Sequence, residues 1–131
     1  MSIMLRGLMS AALVFALVTP SSAEEDSFFT HLHAEKAMAN VTVSPGRAGP
    51  LEIEIQVEDA NEAPLAADAV SVTLSNVERG IAPVTANAER IDHDRWMVRM
   101  TAPEAGRWSL ALGITITVTD TISVESPILL R

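Results

Sequence analysis

The stretch LEIEIQVE, residues 51–58, constrains the chain more than any other. Leu51, Ile53, Ile55 and Val57 alternate with Glu52, Glu54, Gln56 and Glu58. A period of two fits a strand, whose successive side chains point to opposite faces, and does not fit a helix of 3.6 residues per turn. One apolar face and one acidic face describe a sheet packed on one side and wet on the other. The same alternation returns in AVSVTLS (69–75), with Val70, Val72 and Leu74 inward. DRWMVRMT (94–101) sets Trp96, Val98 and Met100 against Met97, Arg99 and Thr101. RWSLALGITITV (107–118) alternates from Trp108 to Val118, and TISVESPILL (121–130) adds a last strand. Pro127 in that strand suits an edge or a bulge, because proline cannot donate to a ladder. Shorter strands are expected at 41–43 and 84–88.

The segments between are rich in turn formers. SPGRAGP (44–50) carries Pro and Gly near both ends, DANEAPLAAD (59–68) reads as a longer loop, and NVERG, DHD, APEAG and TDT are short links. No amphipathic helix of useful length is present; HAEKAMAN (33–40) has the residues for one or two helical turns. About seven short strands at this spacing predict an immunoglobulin-like antiparallel β-sandwich, with Trp96 and Trp108 in its core.

Residues 1–23 have a different character. Arg6 precedes an apolar run from Leu8 to Val18, Thr19 and Pro20 end it, and Ser21 and Ala23 supply small residues at a cleavage site. That is the layout of a secretory signal peptide, too short to span a membrane. The expected mature domain is therefore residues 24–131, an exported protein of one domain that does not cross the membrane. It holds all 17 acidic residues and eight of the nine basic ones, a net charge of −9 with neutral histidines. Such a charge disfavours nucleic acid and anionic lipid surfaces. The chain has no cysteine, which excludes disulfides and thiolate metal sites.

Enzymatic chemistry finds little to work with. There is no cysteine nucleophile, no Gly-x-Ser-x-Gly elbow, no phosphate-cradling glycine loop and no dinucleotide fingerprint. Glu52 and Glu54 read as a solvated strand face rather than an acid–base pair. The expectation is a protein that is not an enzyme. The histidines are the remaining candidates. In FFTHLHAEKAMA (28–39), an extended backbone sends Phe29, His31 and His33 to one face and Phe28, Thr30 and Leu32 to the other. Two imidazoles two residues apart on one strand face can reach a single ion, and imidazole suits copper, zinc and nickel. Met38 offers a thioether that soft Cu(I) accepts. By spacing alone, the same pattern describes an N-terminal strand with two surface imidazoles. His93, in the Asp-His-Asp turn, reads as a solvated loop residue that could complete a site from another part of the fold.

The run HLHAEKAMANVTVSPGRAGP (31–50) resembles the start of the C-terminal periplasmic domain of CopD-type copper-transport membrane proteins, often described as YtkA-like and similar to FixH-type domains. The shared elements are His-x-His at His31 and His33, the Lys-Ala-Met-Ala run at 36–39, and Pro-Gly-Arg-Ala-Gly-Pro at 45–50. The similarity continues through VSVTLSN (70–76), GIAPVTANAERI (80–91), GRWSLALGI (106–114) and the final SVESPILLR. The resemblance implies an immunoglobulin-like sandwich in the periplasm and a role in copper handling, with copper held by His31, His33 and Met38. It implies a membrane copper transporter or another periplasmic protein as partner. Those transporters carry membrane helices before this domain; here the expectation is a free-standing exported version, for which transport itself is not implied. The other expectation is a metal-free interaction module that docks on such a partner, with the imidazoles paired to neighbours such as Glu35.

Overall fold

The alternating segments are strands. The computed structural model describes residues 26–131; the expected signal peptide, 1–23, lies outside the described residues. The strands are β1 (Phe28–His33), β2 (Ala37–Ser44), β3 (Gly49–Asp59), β4 (Ala69–Asn76), β5 (Ile81–Asn87), β6 (Glu89–Arg90), β7 (Arg95–Ala102), β8 (Gly106–Thr117) and β9 (Asp120–Leu130). They form two antiparallel sheets, β1-β2-β3-β7-β6 and β5-β4-β8-β9. The order β2-β3-β7-β6 is that of strands A-B-E-D in an immunoglobulin domain, and β5-β4-β8-β9 is that of C′-C-F-G. The predicted β-sandwich is therefore the fold, with β1 added as a hairpin on the free edge of β2. Among the described residues no helix is long and apolar enough to cross a membrane.

The inward residues of the two sheets make one core. Val43, Ile53, Ile55, Val57, Val72 and Leu110 are completely buried, and Leu74, Leu112, Ile114 and Leu130 nearly so. Burying an aliphatic side chain of this size contributes roughly 1.5–3 kcal/mol. Trp96 and Trp108 are both buried, as expected. The Trp108 indole N–H donates to the Glu104 carbonyl at 2.9 Å. The Trp96 indole N–H is buried without a partner, and the ring instead carries the Arg90 guanidinium on its face, 4.5 Å from the ring centre. Met100 is core and Met97 faces outward, as the alternation requires. Pro127 sits on β9, the edge of its sheet.

The Pro-Gly-rich turn after β2 is where both ends of the domain meet. The Gly46 N–H donates to the Asp26 carbonyl at 2.5 Å, the Ala48 N–H to the Arg131 carbonyl at 2.8 Å, and the Arg131 N–H to the Gly46 carbonyl at 3.0 Å. A side chain at position 46 would run into the Asp26 carbonyl, which explains a glycine there. Arg47 adds an ion pair to Asp26 at 2.6 Å.

One expectation is corrected. Residues 33–40 form no helical turn. Only 34–36 turn, closed by the Ala34 N–H on the Ala37 carbonyl, and Ala37 already belongs to β2. Ala, Glu and Lys favour helix, but a helix this short is marginal in water. Pairing with β1 on one side from Met38 onward and with β3 on the other from Ala37 onward gives the segment its ladder hydrogen bonds and decides the outcome.

Candidate metal site

β1 carries the His-x-His motif, and its neighbours decide what surrounds it. The register sets Phe29 opposite Thr42, His31 opposite Asn40 and His33 opposite Met38. The next strand sets Glu54 opposite Thr42, Gln56 opposite Asn40 and Glu58 opposite Met38. Residues directly opposite each other in an antiparallel pair share a face. The outer face of the five-stranded sheet thus carries three parallel rows, and His31, His33 and Met38 lie together on it. Leu32, on the opposite face of β1, is buried in the core, and Phe28 packs against it. This apolar anchor fixes the register and so fixes which way the imidazoles point. β1 is tied to the other sheet as well. The Thr30 and Ser126 hydroxyls are 3.0 Å apart, and Lys36 pairs with Asp120 at 3.2 Å.

The His31 and His33 rings are exposed, with their centres 6.0 Å apart and their planes tilted by 57°. With metal–nitrogen bonds of about 2.0–2.1 Å, two imidazoles on one ion hold their ring centres roughly 5–6.5 Å apart. The observed spacing falls inside that range without movement of the strand. Met38 is buried, yet it is not part of the central apolar cluster. In the register it stands opposite His33, which makes its thioether the candidate soft donor for that pair. A shallow groove lined by Phe29, Thr30, His31, Asn40, Val41 and Thr42 adjoins the imidazoles, and Phe29 is 65 % exposed.

His31 has a partner that the sequence did not announce. Its Nδ1 lies 2.7 Å from Asn40 Oδ1. Asn40 Nδ2 donates to Gln56 Oε1 and to Glu58 Oε1, both at 3.3 Å. Gln56 Nε2 donates to Asp94 Oδ2 at 2.9 Å. A chain of polar side chains therefore crosses the sheet from β1 to the β6–β7 loop. The hydrogen bond from Gln56 holds the Asp94 carboxyl below the usual carboxylate range; a backbone N–H and the charges of Arg95 and His93 add to this, and burial opposes it. Glu35, named from the sequence as an imidazole partner, takes no part in this chain; Asn40 occupies that role.

His93 is exposed in the β6–β7 loop. Its backbone N–H donates to Asp92 Oδ1 at 2.7 Å, and its carbonyl accepts from Arg90 at 3.0 Å. Strands β2 and β3 separate that loop from His31 in the sheet order. Among the described residues no three His, Asp or Glu side chains converge on a common point. What the fold brings together is two exposed imidazoles on one strand face, with Met38 opposite the second in the register.

Asn40, Gln56 and Asp94 escape a reading of the sequence because their connection depends on register across three strands. An Asn on an alternating strand, two residues beyond a matched methionine, is the one signal available, and it names no partner. No protein-family model matches this chain, and no curated protein or solved structure gives a significant match. What the site does must therefore follow from its own chemistry.

Proposed function

We propose that the protein is a periplasmic accessory in copper handling, which binds or delivers copper through His31 and His33 with the Met38 thioether as a third, soft donor. The observation that carries this is the pair of exposed imidazoles on one face of a pinned strand, 6.0 Å apart, with a buried thioether opposite the second. Two nitrogens and a thioether suit copper better than the hard ions, which take oxygen donors. The resemblance of residues 31–50 to YtkA-like domains supports the same reading, and so does the export signal read in residues 1–23. The absence of any sequence signature for catalysis favours a carrier over an enzyme.

Equilibrium competition of the purified protein against a copper chelator tests the proposal. One copper per chain is expected, with affinity lost in the His31→Ala/His33→Ala double variant. Unchanged affinity in that variant would sink the assignment. Affinity should also fall as the solution is acidified, because imidazole binds a metal only without its proton.

A metal-free docking role has one observation in its favour. β5 is an open edge of the four-stranded sheet, and Val84 on it is more than half exposed. An extended segment of a partner could add there as a further strand. That reading predicts partner capture that is indifferent to chelators.

A further inference from the structure

Asp94, at one end of the polar chain across the outer face, is an ionised carboxylate and can only accept hydrogen bonds. Gln56 must therefore present its amide nitrogen to Asp94, as it does at 2.9 Å, which turns its oxygen towards β2. Asn40 then meets two acceptors, Gln56 Oε1 and the Glu58 carboxylate, and must present its own nitrogen to them. Its oxygen is left facing His31 Nδ1 at 2.7 Å. Oxygen and a bare ring nitrogen cannot bond to each other, so Nδ1 must carry the hydrogen. A neutral imidazole has only one N–H, and the lone pair is then on Nε2.

We infer that Asn40 is a positioning residue: the one-way hydrogen-bond chain from Asp94 through Gln56 makes its oxygen fix His31 as the Nδ1–H tautomer, leaving Nε2 as the electron-pair donor. The polarity of the chain is set at its two acidic members, Asp94 and Glu58, and read out at a ring on β1, across β2 and β3. Hydrogen bonds in such a chain polarise one another in the same direction. Metal-bound histidines commonly donate their second N–H to an oxygen in this way, which orients the ring and raises its basicity. The consequence for copper rests on reading His31 and His33 as the metal site; the tautomer itself does not.

The test has a metal-free and a metal-bound arm. Nitrogen-15 NMR of the metal-free protein, at a pH where imidazoles are neutral, reads the two ring nitrogens of each histidine separately. His31 should show a protonated Nδ1 and a bare Nε2. His93, whose ring has no such chain among the described residues, is the internal reference. Asn40→Asp together with Glu58→Gln keeps an oxygen towards the ring without setting two carboxylates against each other, and should keep the tautomer. Asn40→Leu removes it, and His31 should come to resemble His93. In chelator competition Asn40→Leu should weaken copper binding about 10- to 100-fold, in the range known for partners of metal-bound histidines, and the Asn40→Asp/Glu58→Gln pair should restore most of it. A protonated Nε2 on His31 in the unaltered protein would overturn the inference whatever copper does. Loss of the tautomer in Asn40→Leu with unchanged copper affinity would overturn the positioning role. The expected tautomer in a protein that binds no copper would support the hydrogen-bond assignment and sink the copper reading instead.

Discussion

Replacing Arg90 by Ala should destabilise the domain well beyond what a surface arginine usually contributes. Its guanidinium lies over the Trp96 ring, 4.5 Å from the centre, and it donates to the His93 carbonyl at 3.0 Å and to the Ala67 carbonyl. One side chain thus clamps the 59–68 loop, the β6–β7 loop and a core tryptophan. A cation over an aromatic face contributes about 0.5–2 kcal/mol, depending on desolvation. A hydrogen bond to a charged group contributes about 1.5–3 kcal/mol when shielded and less when wet. Arg90 is exposed overall, so the low end applies, and the variant should lose about 2–3 kcal/mol. Urea unfolding followed by tryptophan fluorescence measures this directly. The midpoint should fall with little change in slope, since the same surface is exposed on unfolding. Arg90→Lys should recover only a small part, because an ammonium cannot reach two carbonyls while lying flat on a ring. A loss within about 0.5 kcal/mol, the usual range for a surface substitution, would refute the clamp. The site has a stake in the result, since the His93 carbonyl that Arg90 holds is next to Asp94, where the polar chain begins.

Three further outcomes follow from the packing and charges. Trp108→Ala should lose about 3–5 kcal/mol, a large part of the total for a domain of this size, and calorimetry should show a much lower melting temperature. Gly46→Ala should displace the segment at Asp26, because the new methyl meets that carbonyl; hydrogen exchange at the amide of residue 46 should accelerate while the β3 and β8 amides keep their protection. Asp94 is held below its ordinary value in the folded state, so its contribution to stability is present above the unfolded carboxylate value near ~3.9 and is lost as pH falls through the folded value. The stability gap between the protein and its Asp94→Asn variant should therefore close on acidification through that window, as measured by urea midpoints at a series of pH values; a gap that stays constant would contradict the assigned shift.

The inner faces were legible in the sequence because burial on one side of a sheet writes itself as alternation. Ile53, Val72, Trp96 and Leu110 announce their strands in this way, and all are core. β2 was legible only from Val41 onward. Its first half, Ala37–Asn40, uses residues that suit helix as well as strand, and only the hairpin with β1 and the ladder to β3 make it extended. β6, two residues long, is too short to show any period. For the site, the shared face of His31 and His33 followed from the period of two alone. Met38 was named for its soft thioether and again by the resemblance, and register then placed it opposite His33. Asn40 could not be found in that way. Its link to His31 is a property of how β1 and β2 align, and its polarity is fixed by an aspartate 54 positions further along the chain.

The most direct test of the copper reading is a nitrogen–proton and methyl NMR map of the protein before and after one equivalent of Cu(I), which is diamagnetic and leaves every signal visible. Shifts are expected at the His31 and His33 ring nitrogens, the Met38 methyl and the Asn40 side-chain amide, with His93 unmoved. Shifts centred on His93 and its flanking aspartates, or no change at β1, would contradict that reading.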